Sequence, residues 1–296
     1  MGEGAEVVAR ASQAAWQQGQ DALRDEVQRV TTLLRSIQDP GAPAVGDWNL
    51  GEVAMHLSQV WIGLPSLHNQ DLSPVQAVLP STATVAGGAF MRNLWELADL
   101  MVLAVHNDPE RDLRVLADRI ETRAQAYFNE CVEADPDEPR AWMVEGMTVC
   151  QSALTYHLLN ETVIHGYDIA RAAGRPWRIN PDHAAMALGR FVVPLIRSAG
   201  PQVFVNEAKA AGIRATYDLR IRGSDSFFFI FNDGSLIIED PSSRKVDCHI
   251  SADPGAFLLV SFARQSQWTA IAKGKLVAWG RKPWLGPQLK ALVRNP

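Results

Sequence analysis

The hydrophobic period of this chain changes once, at Gly174-Arg175-Pro176-Trp177, and that change limits what it can fold into. Before it, apolar residues recur at helical spacing. After it, the alternation Thr216-Tyr217-Asp218-Leu219-Arg220-Ile221-Arg222 and the run Phe227-Phe228-Phe229-Ile230-Phe231 read as strands. A helix aligns side chains every 3.6 residues and a strand every second one, so the two halves cannot share one architecture. The expectation is an α+β protein. Residues 1–178 form a helical half, and residues 179–296 a smaller α+β half opened by a helix over 183–197. A chain of 296 residues should bury roughly three quarters of its unfolded surface, enough for a core without disulfides or a structural metal.

In the first half, Ala11, Ala15, Leu23, Val27, Val30, Leu34 and Ile37 place a helix over 7–37, stopped by Asp39-Pro40-Gly41. Asn49 before Leu50-Gly51-Glu52-Val53 reads as an N-cap with an acid in the first turn, so a second helix carries His56. Residues 65–88 are expected as a loop, followed by helices over 90–105 and 112–131 on either side of Asn107-Asp108-Pro109. Asp135-Pro136-Asp137-Glu138-Pro139 breaks the chain, and a helix over 149–173 ends at Gly174. In the second half, Asn232-Asp233-Gly234-Ser235 is a hairpin turn, because Asp-Gly supplies the positive φ angles such turns require. A short strand is expected over 247–251, and closing helices over 254–264 and 283–293.

A net charge of −5 gives no summed positive field for phosphate backbones, so nucleic acid is not an expected partner. Met1-Gly2-Glu3-Gly4-Ala5-Glu6 is acidic where a secretion signal would be basic. The longest charge-free run, 72–91, contains Pro74, Pro80, Gly87 and Gly88, which spoil a membrane-spanning helix, and reads as a surface loop. Cys131, Cys150 and Cys248 are odd in number and widely spaced, which argues against a disulfide framework or a thiolate cluster. A reducing compartment, the cytoplasm, is expected.

The chemistry concentrates at two places. Glu161-Thr162-Val163-Ile164-His165 puts a carboxylate and an imidazole four residues apart, on one helix face. His56 sits on a separate helix among Val53, Met55, Leu57 and Trp61. Two imidazoles and one carboxylate make a three-ligand set that leaves a zinc coordination position open, as catalytic sites do. His157, one turn before Glu161, and Glu52, one turn before His56, are rival ligands. With both, the site becomes a carboxylate-bridged di-metal centre, although that class uses Glu-x-x-His pairs at spacing three and the spacing here is four. Asp168 is placed either to orient an imidazole or to stand as a solvated helix acid.

Two stretches carry a resemblance. Asp47-Trp48-Asn49-Leu50-Gly51-Glu52-Val53-Ala54-Met55-His56-Leu57 and Asn160-Glu161-Thr162-Val163-Ile164-His165-Gly166-Tyr167-Asp168-Ile169-Ala170 resemble the mycothiol-dependent maleylpyruvate isomerase family, in the wider group of DinB-like four-helix metalloproteins. That pattern is a Trp followed by a helix ending in Ala-His-Leu, then a late helix bearing Glu-x-x-x-His-x-x-Asp. Met55 departs from the usual small residue and Glu52 from the common Asp. The resemblance implies an amino-terminal DinB-like four-helix bundle with His56, Glu161 and His165 as zinc ligands, and no metal role for His157. It also implies a carboxy-terminal domain similar to sterol carrier protein 2 (SCP2). The stretch 253–264 lies where the family has a helix ending in Gly-Arg, which implies an active-site role for Arg264, with Ala263 in place of the Gly. Trp279-Gly280-Arg281-Lys282-Pro283-Trp284 is closer to the sterol-carrier pattern than to the isomerase tail.

The function so implied is that of an enzyme using zinc, or another divalent transition metal, to activate a low-molecular-weight thiol, mycothiol, as cosubstrate. The thiol is transferred to a small electrophilic substrate or isomerises it. In this scheme Arg264 pairs with a substrate carboxylate or oxyanion, and His157 serves as a general base. The alternative is an apolar-ligand or lipid carrier in which the SCP2-like domain binds and the metal site is structural or vestigial.

Overall fold

The computed structural model describes residues 11–71, 73–79, 94–141, 148–198 and 201–294. The chain divides into one unit up to Ile179 and a second from Asn180.

In the first unit, α1 (Gln13–Ser36) starts where the Ser12 side chain accepts the Ala15 N–H. The earlier start expected at 7 falls on residues outside those described. A small antiparallel pair, β1 (Pro43–Val45) and β2 (Trp48–Asn49), leads into α2 (Leu50–His68). The expected Asn49 cap is a full capping box: Asn49 Oδ1 accepts Glu52 N–H at 2.9 Å, and Glu52 Oε2 accepts Asn49 N–H at 2.9 Å. Two otherwise orphaned donors are thereby satisfied at the start of the helix that carries His56.

The expected loop over 65–88 is corrected in part. α2 continues to His68 through Pro65, and α3 (Ser73–Val78) follows. Val75 and Leu79 are buried, so a short helix forms where sequence composition alone suggested loop. The remainder of that stretch, 80–88, lies outside the described residues. α4 (Leu94–Asn107) and α5 (Leu113–Glu130, capped by Asp112) match the next two expectations, apart from 90–93, which are not described. A hairpin that the sequence did not reveal, β3 (Pro139–Ala141) with β4 (Thr148–Cys150), displaces the start of α6 to Gln151–Ala172.

α1 and α2 each pack against α5 and α6, which makes the expected four-helix bundle, and α3 and α4 pack on α2. Trp16 Nε1 and Tyr127 Oη each meet Thr155 Oγ1 at 2.6 Å, tying α1 and α5 to the middle of α6. Nearly every residue of α6 is buried, so its polar side chains face protein rather than water. At Gly166 a Cβ would stand 2.7 Å from Val30 Cγ2, so the missing side chain is what lets α1 approach the turn next to His165.

The second unit opens with the expected helix, but in pieces. α7 (Pro181–Ala187) passes through a π-helical turn at Leu188–Val192 into α8 (Val193–Ser198). A Cβ at Gly189 would fall within bonding distance of Ser224 Oγ, so the π turn carries a glycine where the 223–225 turn packs on it. A 3₁₀ turn (Pro201–Phe204) and α9 (Glu207–Ala210) precede a five-stranded sheet of order β7-β6-β5-β8-β9. These strands are β5 (Arg214–Ile221), β6 (Ser226–Asn232), β7 (Ser235–Glu239), β8 (Cys248–Ala252) and β9 (Leu276–Trp279). β5, β6 and β7 form an antiparallel meander, closed by Asp233 and Gly234 at φ +50° and +87° as the Asp-Gly turn demands. β8 pairs parallel to β5, and β9 antiparallel to β8.

α10 (Pro254–Ser261) has Asp253 as its cap, and α11 (Gln267–Ala272) and β9 were not anticipated. The expected closing helix over 283–293 is instead a 3₁₀ turn (Pro283–Gln288) and a single helical turn, α12 (Leu289–Leu292), because Pro283 and Pro287 withhold the donors a longer helix needs. The α+β reading holds. Among the described residues no helix is long and apolar enough to cross a membrane.

Candidate metal centre and the pocket beside it

α6 presents His157, Glu161 and His165 one turn apart on one face, and α2 brings His56 to the same place. Glu161 Oε2 lies 3.4 Å from His165 Nε2 and 3.8 Å from His56 Nε2, and Oε1 lies 3.9 Å from His157 Nε2. One donor atom each from His56, Glu161 and His165 fall within 4.8 Å of one another. Tetrahedral zinc with its usual bond lengths holds donors about 3.4 Å apart, so small side-chain rotations bring this set to ligand spacing. The donor types fit a borderline divalent cation with a coordination position to spare. The His56 and His165 rings meet edge to face at 4.7 Å, and Trp48 lies 5.2 Å from His56 on its other flank.

Asp168, fully buried, sits behind the cluster with Oδ2 3.3 Å from His165 Nδ1. This is the arrangement that fixes an imidazole so that Nε2 faces a ligand. Burial lowers the His165 pKa, but Asp168 and Glu161 outweigh it and hold it up at about 9. Burial also drives the His56 pKa down and takes that of His157 to about 4, so His157 is unprotonated near neutral pH. Burial opposes the charge on Glu161, yet hydrogen bonding to His165 and His56 keeps its carboxyl well below the usual range.

Of the rivals, Glu52 is corrected. Its Oε2 closes the capping box and its Oε1 lies 3.7 Å from His106 Nε2, so the carboxylate is committed to the start of α2 and stands outside the cluster. His157 does reach Glu161, but on the carboxylate oxygen other than the one facing His56 and His165. Arg264 belongs to the second unit, where its Nη1 donates to the Phe262 carbonyl at 2.8 Å. Ala263 before it is at φ +57°, the left-handed region that favours glycine, which accounts physically for a Gly at this point in the resembled pattern.

A cavity of about 120 Å³ opens from the cluster, with His56, His157 and Glu161 on one side and apolar side chains of α2, α3 and α4 on the other. Sequence reading missed it, since part of its wall comes from the stretch 65–88, whose composition reads as loop. The one local signal was the i, i+3, i+4 spacing of Val75, Val78 and Leu79. The second unit encloses a larger apolar cavity of about 240 Å³ against β5, β6 and β8, with Leu219, Phe229 and Ile250 among its walls. Cys131, Cys150 and Cys248 are free and buried, and burial pushes each thiol up, Cys248 to about 11.

No curated protein matches the chain. Among solved structures it is similar to a mycothiol-dependent maleylpyruvate isomerase, at 13% identity and a TM-score of 0.48 over 89% of this chain and 92% of that one. A single-residue variant of that isomerase gives 11% identity and 0.48 over the same shares. A stereoselective inverting sec-alkylsulfatase from Pseudomonas sp. gives 15% identity and 0.29, over 49% of this chain and 24% of that one. Residues 201–281, from the 3₁₀ turn before α9 to just beyond β9, match the SCP-2 sterol transfer family.

Proposed function

We propose that the first unit is the active site of an enzyme that holds zinc, or a similar divalent cation, on His56, Glu161 and His165 and activates a low-molecular-weight thiol against a small electrophile. The observation that carries this reading is the convergence of three imidazole Nε2 atoms on one half-buried carboxylate, with Asp168 fixed behind His165. Bound there, the cation supplies a Lewis acid that lowers the pKa of a thiol at its open position. Mycothiol is the thiol that the sequence resemblance implies, and the cytoplasm the proposed location.

His157, neutral and lining the cavity, takes the thiol proton at Nε2. The sulfur then forms a C–S bond with one carbon of an activated double bond, whose π electrons move onto the conjugated carbonyl oxygen. Rotation about the new single bond and expulsion of the sulfur restore the double bond, and the thiol regains its proton from His157. The net result is a cis-trans isomer. Where the electrophile carries a leaving group, the same attack ends in transfer, with the leaving group departing as an anion.

The test starts with elemental analysis of protein purified without chelator or affinity-tag metal. About one zinc per chain, lost in His165→Ala, supports the site. Thiol-dependent turnover that disappears in His56→Ala, while the circular dichroism spectrum is kept, supports the activity. Carefully handled wild type without metal overturns it.

The apolar cavity of the second unit, with the SCP-2 match around it, favours a second reading as an apolar-ligand carrier. A carrier keeps its affinity for a fluorescent single-chain lipid in His56→Ala and shows no thiol-dependent turnover.

A further inference from the structure

We infer that the electrophile taken by the first unit presents an uncharged apolar group, about the size of a small ring, to the cavity beside Glu161. The inference rests on the reading of this site as one that attacks a small electrophile, and adds to it the class of molecule that fits.

Three observations carry it. The first is the chemistry of the walls. Beyond His56, His157 and Glu161, every described lining residue is apolar, with Leu64 and Leu67 from α2, Val75 from α3, Leu79 just beyond it, and Leu100 and Met101 from α4 among them. No Lys or Arg lines the cavity among the described residues, and its one carboxylate is Glu161. With the metal stripped, an anionic group placed there would lose its water next to a like charge, with no Lys or Arg among the described lining residues to receive it. An apolar group would gain from the same burial. The second observation is size. About 120 Å³ is close to the ~150 Å³ of an apolar protein cavity that stays dry and takes up benzene.

The third is Gly63, which lines the cavity in the middle of α2. An interior helical glycine weakens a helix relative to alanine, so a reason for it is expected. Gly166 has one, because its Cβ would strike Val30. Gly63 has none of that kind. It is buried and is not among the positive-φ glycines, and a Cβ built on it meets no heavy atom of the described residues within 4 Å. What the absent side chain leaves is open volume next to Glu161. The glycine keeps room for a ligand.

The probes are toluene and benzoate, alike in size and different in charge, titrated calorimetrically into the full chain as purified and again after chelation. After chelation toluene is expected to bind at least tenfold more tightly than benzoate, and its own affinity is expected to be the same in both preparations. Gly63→Leu, which fills the open volume, should abolish toluene binding while its melting curve stays cooperative, and Gly63→Ala should keep most of it. Met101→Lys places an ammonium in the cavity and should move the preference towards benzoate. Benzoate binding as tightly as toluene in the chelated wild type, or unchanged toluene binding in a folded Gly63→Leu, overturns the inference. Because these readouts require neither metal nor turnover, they separate from the parent reading. Toluene binding without thiol-dependent turnover removes the thiol chemistry and leaves the pocket, whereas turnover without toluene binding removes the pocket and leaves the chemistry.

Discussion

Asp168→Asn tests the centre without touching a proposed ligand. The substitution keeps volume and shape but removes the charge 3.3 Å from His165 Nδ1. Carrying the His165 pKa from its ordinary 6.5 to about 9 corresponds to about 3 kcal/mol in favour of the imidazolium in the folded protein. A group raised on folding contributes stability that is fully present below 6.5 and is lost as pH rises through about 9. The hydrogen bond to Asp168 is the largest single raising influence. Metal-stripped Asp168→Asn should therefore lose about 1–2 kcal/mol relative to wild type at pH 6 and distinctly less at pH 10, read from urea unfolding. The metal-binding side follows from the same geometry. With the imidazole less firmly oriented and less basic, affinity should fall roughly 10–100-fold, about 1.4–2.7 kcal/mol by chelator competition. A stability loss equal at both pH values, or an unchanged metal affinity, would refute the assignment of Asp168 to His165.

Glu161→Ala should lose bound metal by elemental analysis and still melt cooperatively by calorimetry, since the core of the bundle is built elsewhere; collapse of the transition would make the site structural. His68, hydrogen-bonded to Gln151 at 2.6 Å, has its pKa lowered by burial to about 4. Its contribution is present above 6.5 and is lost as pH falls towards 4, about 3 kcal/mol at the limit, so His68→Gln should flatten the acid limb of the stability curve. Ala263→Gly should raise the stability of the second unit by about 1 kcal/mol in denaturant titrations, because a left-handed alanine is strained.

What could be read in advance depended on whether the information was local. Asn49 and Glu52 declare the start of α2 within four residues, and the spacing of Glu161 and His165 declares a shared face, so both survive in the structure. Glu52 as a rival ligand failed for the same reason: an acid at the third position of a helix has a nearer use in the cap. The α3 helix was illegible because Val75 and Leu79 are buried by packing against α4, with α3 lying on α2, a tertiary effect that outweighs a proline-bearing, loop-like composition. The short hairpin of β3 and β4 and the edge strand β9 offer three or four residues each, too few for a period to show. The cavity beside Glu161 is assembled from four helices, and its sequence signature is limited to the spacing of Val75, Val78 and Leu79 and a glycine with no evident reason.

The buried thiols give the molecule two internal clocks. A thiol held near 11, like that of Cys248, is thiolate less than about once in a thousand at neutral pH, and a buried one is out of reach of reagent besides. Small disulfides therefore find no partner for exchange on the folded chain, and modification must wait for a segment to open. Cys131 and Cys150 lie in the first unit and Cys248 in the second, so the rate at which each is labelled reports the opening of its own unit. A single alkylation time course read by mass spectrometry would resolve two opening free energies that a global melt superimposes.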